Sequence, residues 1–315
     1  MPTTPFSKGF QTWQAITMGE GQTPLVRLSP TDKNTYVKVD YMMPTLSFKD
    51  RGAAVLIAIA KHLGATKVIA DSSGNAGTAI AAYAARCNIS CDIYLSKYTS
   101  PKKISQIKAY GATIKKIDGN REDVAQAAQQ AVELERVFYA SHVYNPYFYE
   151  GTKTYAYEIY EQLQDVPDTL IIPVGNGTLL LGAYYGFKEL YENNLIHKLP
   201  KIIAIQAENC APLANSFHQK HRSNQKQETR QTIAEGIAVA TPARAKQILA
   251  AVRQTNGTIL TVHEQEIKSA HSQLSELGFY VELTSGANYA GYLKYKKSQQ
   301  EKIILPLCGA GLKSD

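Results

Sequence analysis

The sequence predicts an α/β protein made of two open, twisted, mostly parallel α/β/α domains, and three observations carry that expectation. Short β-branched runs alternate with longer helical patterns along most of the 315 residues, the order that builds parallel sheets with helices on both faces. The strands are too many for one sheet of ordinary width. The stretch Ser141 to Gly151 (SHVYNPYFYEG) is aromatic and irregular, as a crossing between two units would be. The expected division is residues 1–40 with 147–315 as the larger domain and 41–146 as the smaller.

In chain order the strands are TYVKV (Thr35 to Val39), KVIA (Lys67 to Ala70), CDIYL (Cys91 to Leu95), TIKKI (Thr113 to Ile117), TLIIP (Thr169 to Pro173), KIIAIQ (Lys201 to Gln206) and KIILPL (Lys302 to Leu307). Short runs of this composition are strand signals. Helical patterns cover Gly52 to Leu63, Ala76 to Arg86, Val124 to Leu134 and Leu179 to Tyr191, each long enough to tell from a buried strand. No internal repeat or low-complexity segment interrupts the alternation. With 44% hydrophobic and 19% charged residues, the chain can bury full-sized cores.

Composition argues against several classes. No apolar run is as long as a membrane span, and the opening MPTTPFSKGFQTWQ lacks the basic-then-apolar layout of an export signal, so the expected setting is cytoplasmic. Four cysteines, Cys87, Cys91, Cys210 and Cys308, are too few for a disulfide framework in a chain of this length. Cys87 and Cys91 have no second Cys or His pair near them, and no metal site is expected. The net charge of +7 and pI of about 9.0 read as a soluble surface and not as a nucleic-acid site, because the basic residues are spread out and form no aromatic-studded stripe, and they also suit an enzyme of anionic substrates. The polar run His218 to Gln231 reads as a solvated loop.

Ligands of parallel α/β folds settle at the carboxyl ends of strands, where tight turns open into helices. Three such turns stand out. In Pro44-Thr45-Leu46-Ser47-Phe48-Lys49-Asp50-Arg51-Gly52, Lys49 lies just before the apolar helix AAVLIAIA. Apolar surroundings disfavour an ammonium, and a neutral amine is what Schiff-base chemistry needs. The same lysine could instead pair with Asp50 at a helix N-terminus. In Asp71-Ser72-Ser73-Gly74-Asn75-Ala76-Gly77-Thr78, small residues let backbone approach a ligand, while Ser73 and Asn75 offer side-chain hydrogen bonds; an ordinary helix cap would look similar. Pro173-Val174-Gly175-Asn176-Gly177-Thr178 enters a helix with no acidic residue before Glu189, so its backbone amides suit a phosphate. It has neither the glycine spacing of a dinucleotide turn nor the lysine of a nucleotide P-loop.

These turns in this order, each after its own strand, resemble those of the fold type II pyridoxal-phosphate (PLP) enzymes, the family of threonine synthase, cysteine synthase and serine/threonine dehydratase. The resemblance is greatest to the short threonine synthases. Gly19-Glu20-Gly21-Gln22-Thr23-Pro24-Leu25 matches the family's opening GEGxTPL, and Ser47 to Gly52 its lysine motif. Asn145-Pro146 with Glu150-Gly151-Thr152-Lys153-Thr154 is similar to its NP…EGxKT stretch, Gly309-Ala310-Gly311-Leu312-Lys313 to its ending, and Ala234-Glu235-Gly236-Ile237 fits as well. Nearly the whole chain is covered. The resemblance implies a tryptophan-synthase-β-like architecture with PLP in the cleft, the larger domain binding the cofactor and the smaller one the substrate.

By position, it implies that Lys49 forms the Schiff base and later exchanges the Cα proton, that Asn75 hydrogen-bonds the ring hydroxyl, and that Gly175, Asn176, Gly177 and Thr178 hold the phosphate. Ser72, Ser73, Gly74 and Thr78 would receive the substrate carboxylate, and Cys308 would lie beside the pyridine nitrogen. Arg51 and Lys153 are cations suited to a phosphorylated substrate, with an ion pair to Asp50 as the alternative for Arg51. A nearly neutral side chain beside the ring nitrogen favours elimination and replacement over transamination; Cys308 as a small buried hydrophobe is the alternative. The implied reaction is that of threonine synthase, O-phospho-L-homoserine and water to L-threonine and phosphate, in a homodimer. Alternatives are a serine/threonine dehydratase or β-replacement synthase of the same fold, and a catalytically silent PLP-binding protein. Three departures bear on the choice: Cys308 stands where threonine synthases usually have Thr, Leu46 where the lysine motif usually has Gly, and Ser73 to Gly77 differs from the common STGNT. Glu282, ahead of Thr284-Ser285-Gly286, reads as a cap for the following helix, with a cation ligand as the alternative.

Overall fold

The computed structural model describes residues 12–99, 101–218 and 229–313. The run expected as a solvated loop, His218 to Gln231, lies largely outside the described residues, as does most of the opening segment. The strands are β1 (Leu25–Arg27), β2 (Thr35–Lys38), β3 (Lys67–Ala70), β4 (Ser90–Ser96), β5 (Thr113–Ile117), β6 (Phe138–Tyr139), β7 (Thr169–Pro173), β8 (Lys201–Ala207), β9 (Thr258–Val262) and β10 (Ile303–Pro306). The helices are α1 (Lys49–His62), α2 (Asn75–Arg86), α3 (Pro101–Ala109), α4 (Arg121–Glu135), α5 (Pro146–Thr152), α6 (Thr154–Leu163), α7 (Thr178–Glu192), α8 (Pro212–His218), α9 (Ala245–Gln254), α10 (Glu264–Glu276) and α11 (Leu283–Lys294).

Two units divide the chain. The first holds Met43–Thr152 and the segment that ends at Gly21. Its sheet has the order β5-β4-β3-β6 with every pair parallel. Strand alternation sends successive side chains to opposite faces: Val68, Ala70, Cys91, Ile93 and Leu95 join a core with α1 and α2, while Ile69 and Tyr94 pack with Val124 and Ala128 of α4. Helices therefore cover both faces. The second unit holds Gln22–Met42 and the chain from Lys153 onward. Its sheet has the order β1-β2-β10-β7-β8-β9, antiparallel only at β1–β2. Val37, Ile171, Ile203, Ile205 and Leu305 face α10 and α11, and the alternate residues Leu170, Ile172, Ile202 and Ile304 are equally buried.

The observed units differ from the expected boundaries. The described residues from Thr12 to Gly21 belong with the first unit because the Glu20 carboxylate ties them to α2: it accepts from Trp13 Nε1 at 2.6 Å, Thr17 Oγ1 at 2.9 Å and Tyr83 OH at 2.8 Å. Gln22 onward belongs with the second, where Thr23 Oγ1 donates to Asp40 at 2.7 Å and buried Lys38 donates to the Thr23 carbonyl while pairing with Glu158 at 2.7 Å. Ser141 to Gly151 is not a crossing. It remains in the first unit, and from Pro146 it forms α5, which lies against α1 where Gly52 meets the Phe148 ring and Gly151 meets the Arg51 carbonyl. A Cβ at either glycine would stand 2.4 Å or less from those atoms, so the close approach of the two helices requires both.

Candidate active site

Lys49 is the first residue of α1, half-buried, with its ammonium 4.6 Å from the Phe48 ring centroid and 5.6 Å from that of Phe148. The turn before it is clamped. Asp50, fully buried, accepts the Thr45 amide at 2.6 Å and also the Thr45 hydroxyl, and the Leu46 amide donates to the Met43 carbonyl at 2.8 Å. Leu46, which stands where the lysine motif usually has Gly, has φ 65, a left-handed backbone that favours glycine. The Ser47 hydroxyl is buried and makes no hydrogen bond. Arg51 is buried.

The Ser/Gly turn follows β3 in the same unit. Ser72 and Ser73 are half-buried, Gly74 is exposed with nothing within 4 Å of its Cβ position, and half-buried Asn75 opens α2. Gly77 lets the turn fold back on the helix: a Cβ there would be 1.8 Å from the Ser72 carbonyl oxygen. Thr78 is buried beneath the turn, its hydroxyl donating to the Gly74 carbonyl at 3.2 Å. Asp71, at the base, accepts the Tyr139 hydroxyl at 2.9 Å. Burial raises its carboxyl pKa, against the pull of Tyr139 and Arg121.

In the second unit β7 leads through Gly175, Asn176 and Gly177 into α7. Gly177 has φ 77 and a Cβ there would lie 2.5 Å from Ile248 Cδ1; one at Gly175 would lie 3.0 Å from Val239 Cγ2 and 3.1 Å from Ile237 Cα. The Ala234 to Ile237 motif thus walls the turn. α7 has no acidic residue in its first turn, and the amides of a first helical turn lack intrahelical acceptors. Thr178 is buried and Asn176 half-buried. At the end of β10, buried Cys308 donates its amide to the Ser285 hydroxyl at 3.0 Å. Glu282 stands at the N-cap position of α11, yet its side chain makes no capping hydrogen bond and lies over Gly309, where a Cβ would be 2.4 Å from its Oε2.

Lys153 belongs to this unit, buried, with its ammonium 2.5 Å from Glu189 Oε1; Tyr157 donates to the other oxygen. Burial raises the Glu189 carboxyl pKa, but the Lys153 and Tyr157 hydrogen bonds outweigh it and hold the group below the usual range. Glu189 lies about three turns along α7 from its start, so the pair joins α6 to the far half of α7. The thiol of Cys91 is pushed up to about 12, by burial and then by Asp92, which makes it inert at neutral pH. Among the described residues, no group of three or more His, Cys, Asp or Glu is placed to hold a metal ion, and no helix is long and apolar enough to cross a membrane.

A family model described as pyridoxal-phosphate dependent enzyme matches residues 16–309. The chain belongs to that family. Its cofactor is pyridoxal 5′-phosphate, and the residues present fit it: a lysine amine beside two aromatic rings, an unpartnered buried hydroxyl at Ser47, and a turn into α7 in which Gly177 has no room for a side chain. Threonine synthase of Methanocaldococcus jannaschii is 33% identical over 310 residues, 95% of this chain and 76% of that protein. Threonine synthase of Bacillus sp. is 35% identical over 308 residues, 95% of this chain and 85% of that protein. Among solved structures, maize serine racemase superposes with a TM-score of 0.80 at 21% identity, covering 97% of this chain and 93% of that one. A PLP-dependent aspartate racemase superposes with a TM-score of 0.78 at 22% identity, covering 98% and 97%. The last two show a shared fold.

Sequence reasoning did not find His142, which is buried with its ring edge-on to Phe148 at 6.0 Å, nor Ser285 or the Thr45–Asp50 clamp. Asp50 had a local signal, a carboxylate next to the candidate lysine. The other two had none, since their significance depends on contacts distant in sequence.

Proposed function

We propose that this PLP enzyme is a threonine-synthase-type carbon–oxygen lyase that converts O-phospho-L-homoserine and water to L-threonine and phosphate. The observation that carries the reading is the likeness to threonine synthases over 95% of the chain. When bound, the cofactor supplies the electron sink that lets bonds at and beyond the substrate Cα break. Lys49 tethers it. With the cofactor bound, the Lys49 amine would hold it and would take and return the proton at the substrate Cα, so one side chain would serve as tether and as acid–base group. Ser72, Ser73 and Gly74 receive the substrate carboxylate, with Thr78 supporting the turn from below. Asn75 would hold the cofactor's ring hydroxyl and the Gly175 to Thr178 turn its phosphate, with Cys308 toward the ring nitrogen. Arg51 remains the candidate cation for the substrate phosphate. Lys153, engaged by Glu189, is assigned instead to positioning α6 and α7. A homodimer is part of the reading, and sedimentation would test it.

A second reading, β-elimination or β-replacement on serine-like substrates, is favoured by Cys308, and Leu46 leaves the substrate open between the two. Product analysis separates the two. Threonine and phosphate from O-phospho-L-homoserine, absent with Lys49→Ala, would establish the first. Keto acids from L-serine or L-threonine, or cysteine from O-acetyl-L-serine and sulfide, with phosphohomoserine untouched, would move the assignment to the second.

A further inference from the structure

Asp71 joins the Ser/Gly turn to β6 and α4. It follows β3 directly and is only 8% exposed. Ile69 of β3 and Tyr139 of β6 are register partners, and the Tyr139 hydroxyl donates to Asp71 Oδ1 at 2.9 Å. Gln129 of α4 bonds that hydroxyl in turn, so the donor is itself held in place. The packing beneath is apolar: Ile69, Tyr94, Val124 and Ala128 form one cluster, with Tyr139 against it. Buried carboxylates ordinarily have a cation beside them, as Asp92 of the same sheet does, 2.8 Å from the Lys67 ammonium. Asp71 is held instead by a neutral hydroxyl, and Arg121, the first residue of α4, acts on it through charge alone. Ser72, the next residue, is fixed as well. Its carbonyl oxygen lies where a Cβ on Gly77 would come within 1.8 Å, so the turn cannot settle more closely on α2 and draw away from Asp71. An amino-acid carboxylate received by Ser72, Ser73 and Gly74 is therefore a second anion within roughly 8 Å of the first, given about 3.8 Å between successive Cα atoms. Two carboxylates in one poorly solvated site do not both stay ionised, and one of them keeps a proton.

We propose that Asp71 couples substrate binding to a proton: its carboxyl takes one up from solvent when the turn receives an amino-acid carboxylate, and releases it when that carboxylate leaves. The proton goes to Asp71 because the substrate carboxylate gains the donors of the turn as an anion, whereas burial already favours the neutral form of Asp71, against the pull of Tyr139 and then of Arg121. Those two are the titratable and charged groups that act on it from β6 and α4. α2 has no acidic residue in its first turn and its one basic residue, Arg86, in its last. β4 offers Tyr94, next in register after the Ala70–Ile93 pair and kept a neutral phenol by burial. The coupling rests on the turn receiving the substrate carboxylate, as proposed above, and is the same for phosphohomoserine and for serine-like substrates.

The test is a spectral titration of the PLP-loaded protein with L-2-aminobutyrate and with its carboxamide, which differ in the charge of one group and carry no leaving group, between about pH 5 and 7, below the α-amino range. Hydrogen bonds to a charged group make the acid the tighter ligand, by roughly tenfold or more at the low end of that range. In wild type this preference should shrink as pH rises, by up to about tenfold per pH unit, because each acid bound needs a proton. Asp71→Asn, neutral at every pH, should keep the preference constant and at about pH 7 should bind aminobutyrate more tightly than wild type, the opposite of what losing a merely structural carboxylate would do. Tyr139→Phe removes a donor that favours the ionised acid and should move the wild-type profile to higher pH; should the Asn variant fail to fold, an unmoved profile here overturns the coupling. A preference that is constant with pH in wild type, or that changes equally in Asp71→Asn, overturns the coupling and leaves the turn's role standing. Equal binding of acid and amide by wild type at every pH overturns both. Neither ligand has to react, so failure to make threonine from phosphohomoserine bears on the reaction alone.

Discussion

Leu46 in the first unit and Gly177 in the second both have left-handed backbone, with φ of 65 and 77, and each lies at the entrance to a helix that carries site residues. At Gly177 two demands coincide, because the φ favours glycine and Ile248 fills the space a Cβ would take. The backbone amides of that turn are the groups proposed to hold the phosphate. At Leu46 the same conformation costs a non-glycine residue about 1–2 kcal/mol, and it persists because the Thr45–Asp50 clamp and the Leu46–Met43 hydrogen bond determine the path. Strain of this kind is kept where neighbouring structure over-determines it. The comparison teaches that one left-handed residue is kept by a braced turn around it and the other by having no side chain.

Lys49→Ala should show the largest effect, complete loss of the lysine-bound cofactor band and of turnover with a native circular dichroism spectrum; a retained band would break the assignment of roles. Next, Gly177→Ala adds a Cβ to a filled space and should weaken cofactor binding at least about tenfold, a loss of roughly 1.4 kcal/mol or more. Gly74→Ala, at φ −100 with open space around it, is the contrasting control in the first unit and should leave cofactor affinity unchanged. Equal losses from the two would dissolve the distinction between backbone and side-chain function.

Asp50→Ala leaves the Thr45 donors unpaired in a buried site and should cost about 2–3 kcal/mol in thermal or urea unfolding, with Asp50→Asn costing less. The cofactor-free protein should also lose stability as pH falls below the ordinary histidine value. Unfolded His142 takes up a proton near pH 6.5 while the folded ring, whose pKa is lowered well below that value by burial and then by Lys49 and Arg121, does not. The unfolded state then binds more protons, and stability should drop by up to about 1.4 kcal/mol per pH unit. His142→Phe should flatten this slope. The smallest expected effect is that of Leu46→Gly, whose relief of backbone strain and greater unfolded-state entropy nearly cancel, leaving stability within about 1 kcal/mol; a changed ratio of serine to phosphohomoserine turnover would tie Leu46 to specificity.

Much of this was legible in the sequence. The strands expected from β-branched runs formed within a residue of their expected ends, since composition and period act locally. β1 and β6, of three and two residues, are too short to show a pattern, whereas TILTV of β9 carried a strand signal that was not taken up. The three turns were recognisable because glycine and small polar residues serve backbone needs set within a few residues. The aromatic segment read as a crossing is a loop and helix α5 of the first unit, and its membership depends on the fit of Gly52 to Phe148.

By itself, then, the sequence determined the order and kind of elements, the family and its cofactor, because periodicity, turn chemistry and motif spacing are written along the chain. Only the tertiary structure decided that the GEGxTPL motif is shared between two units, that Lys153 is taken by Glu189, and that His142 stands buried beside Phe148. Each of those depends on which distant residues packing brings within a hydrogen bond or a van der Waals contact.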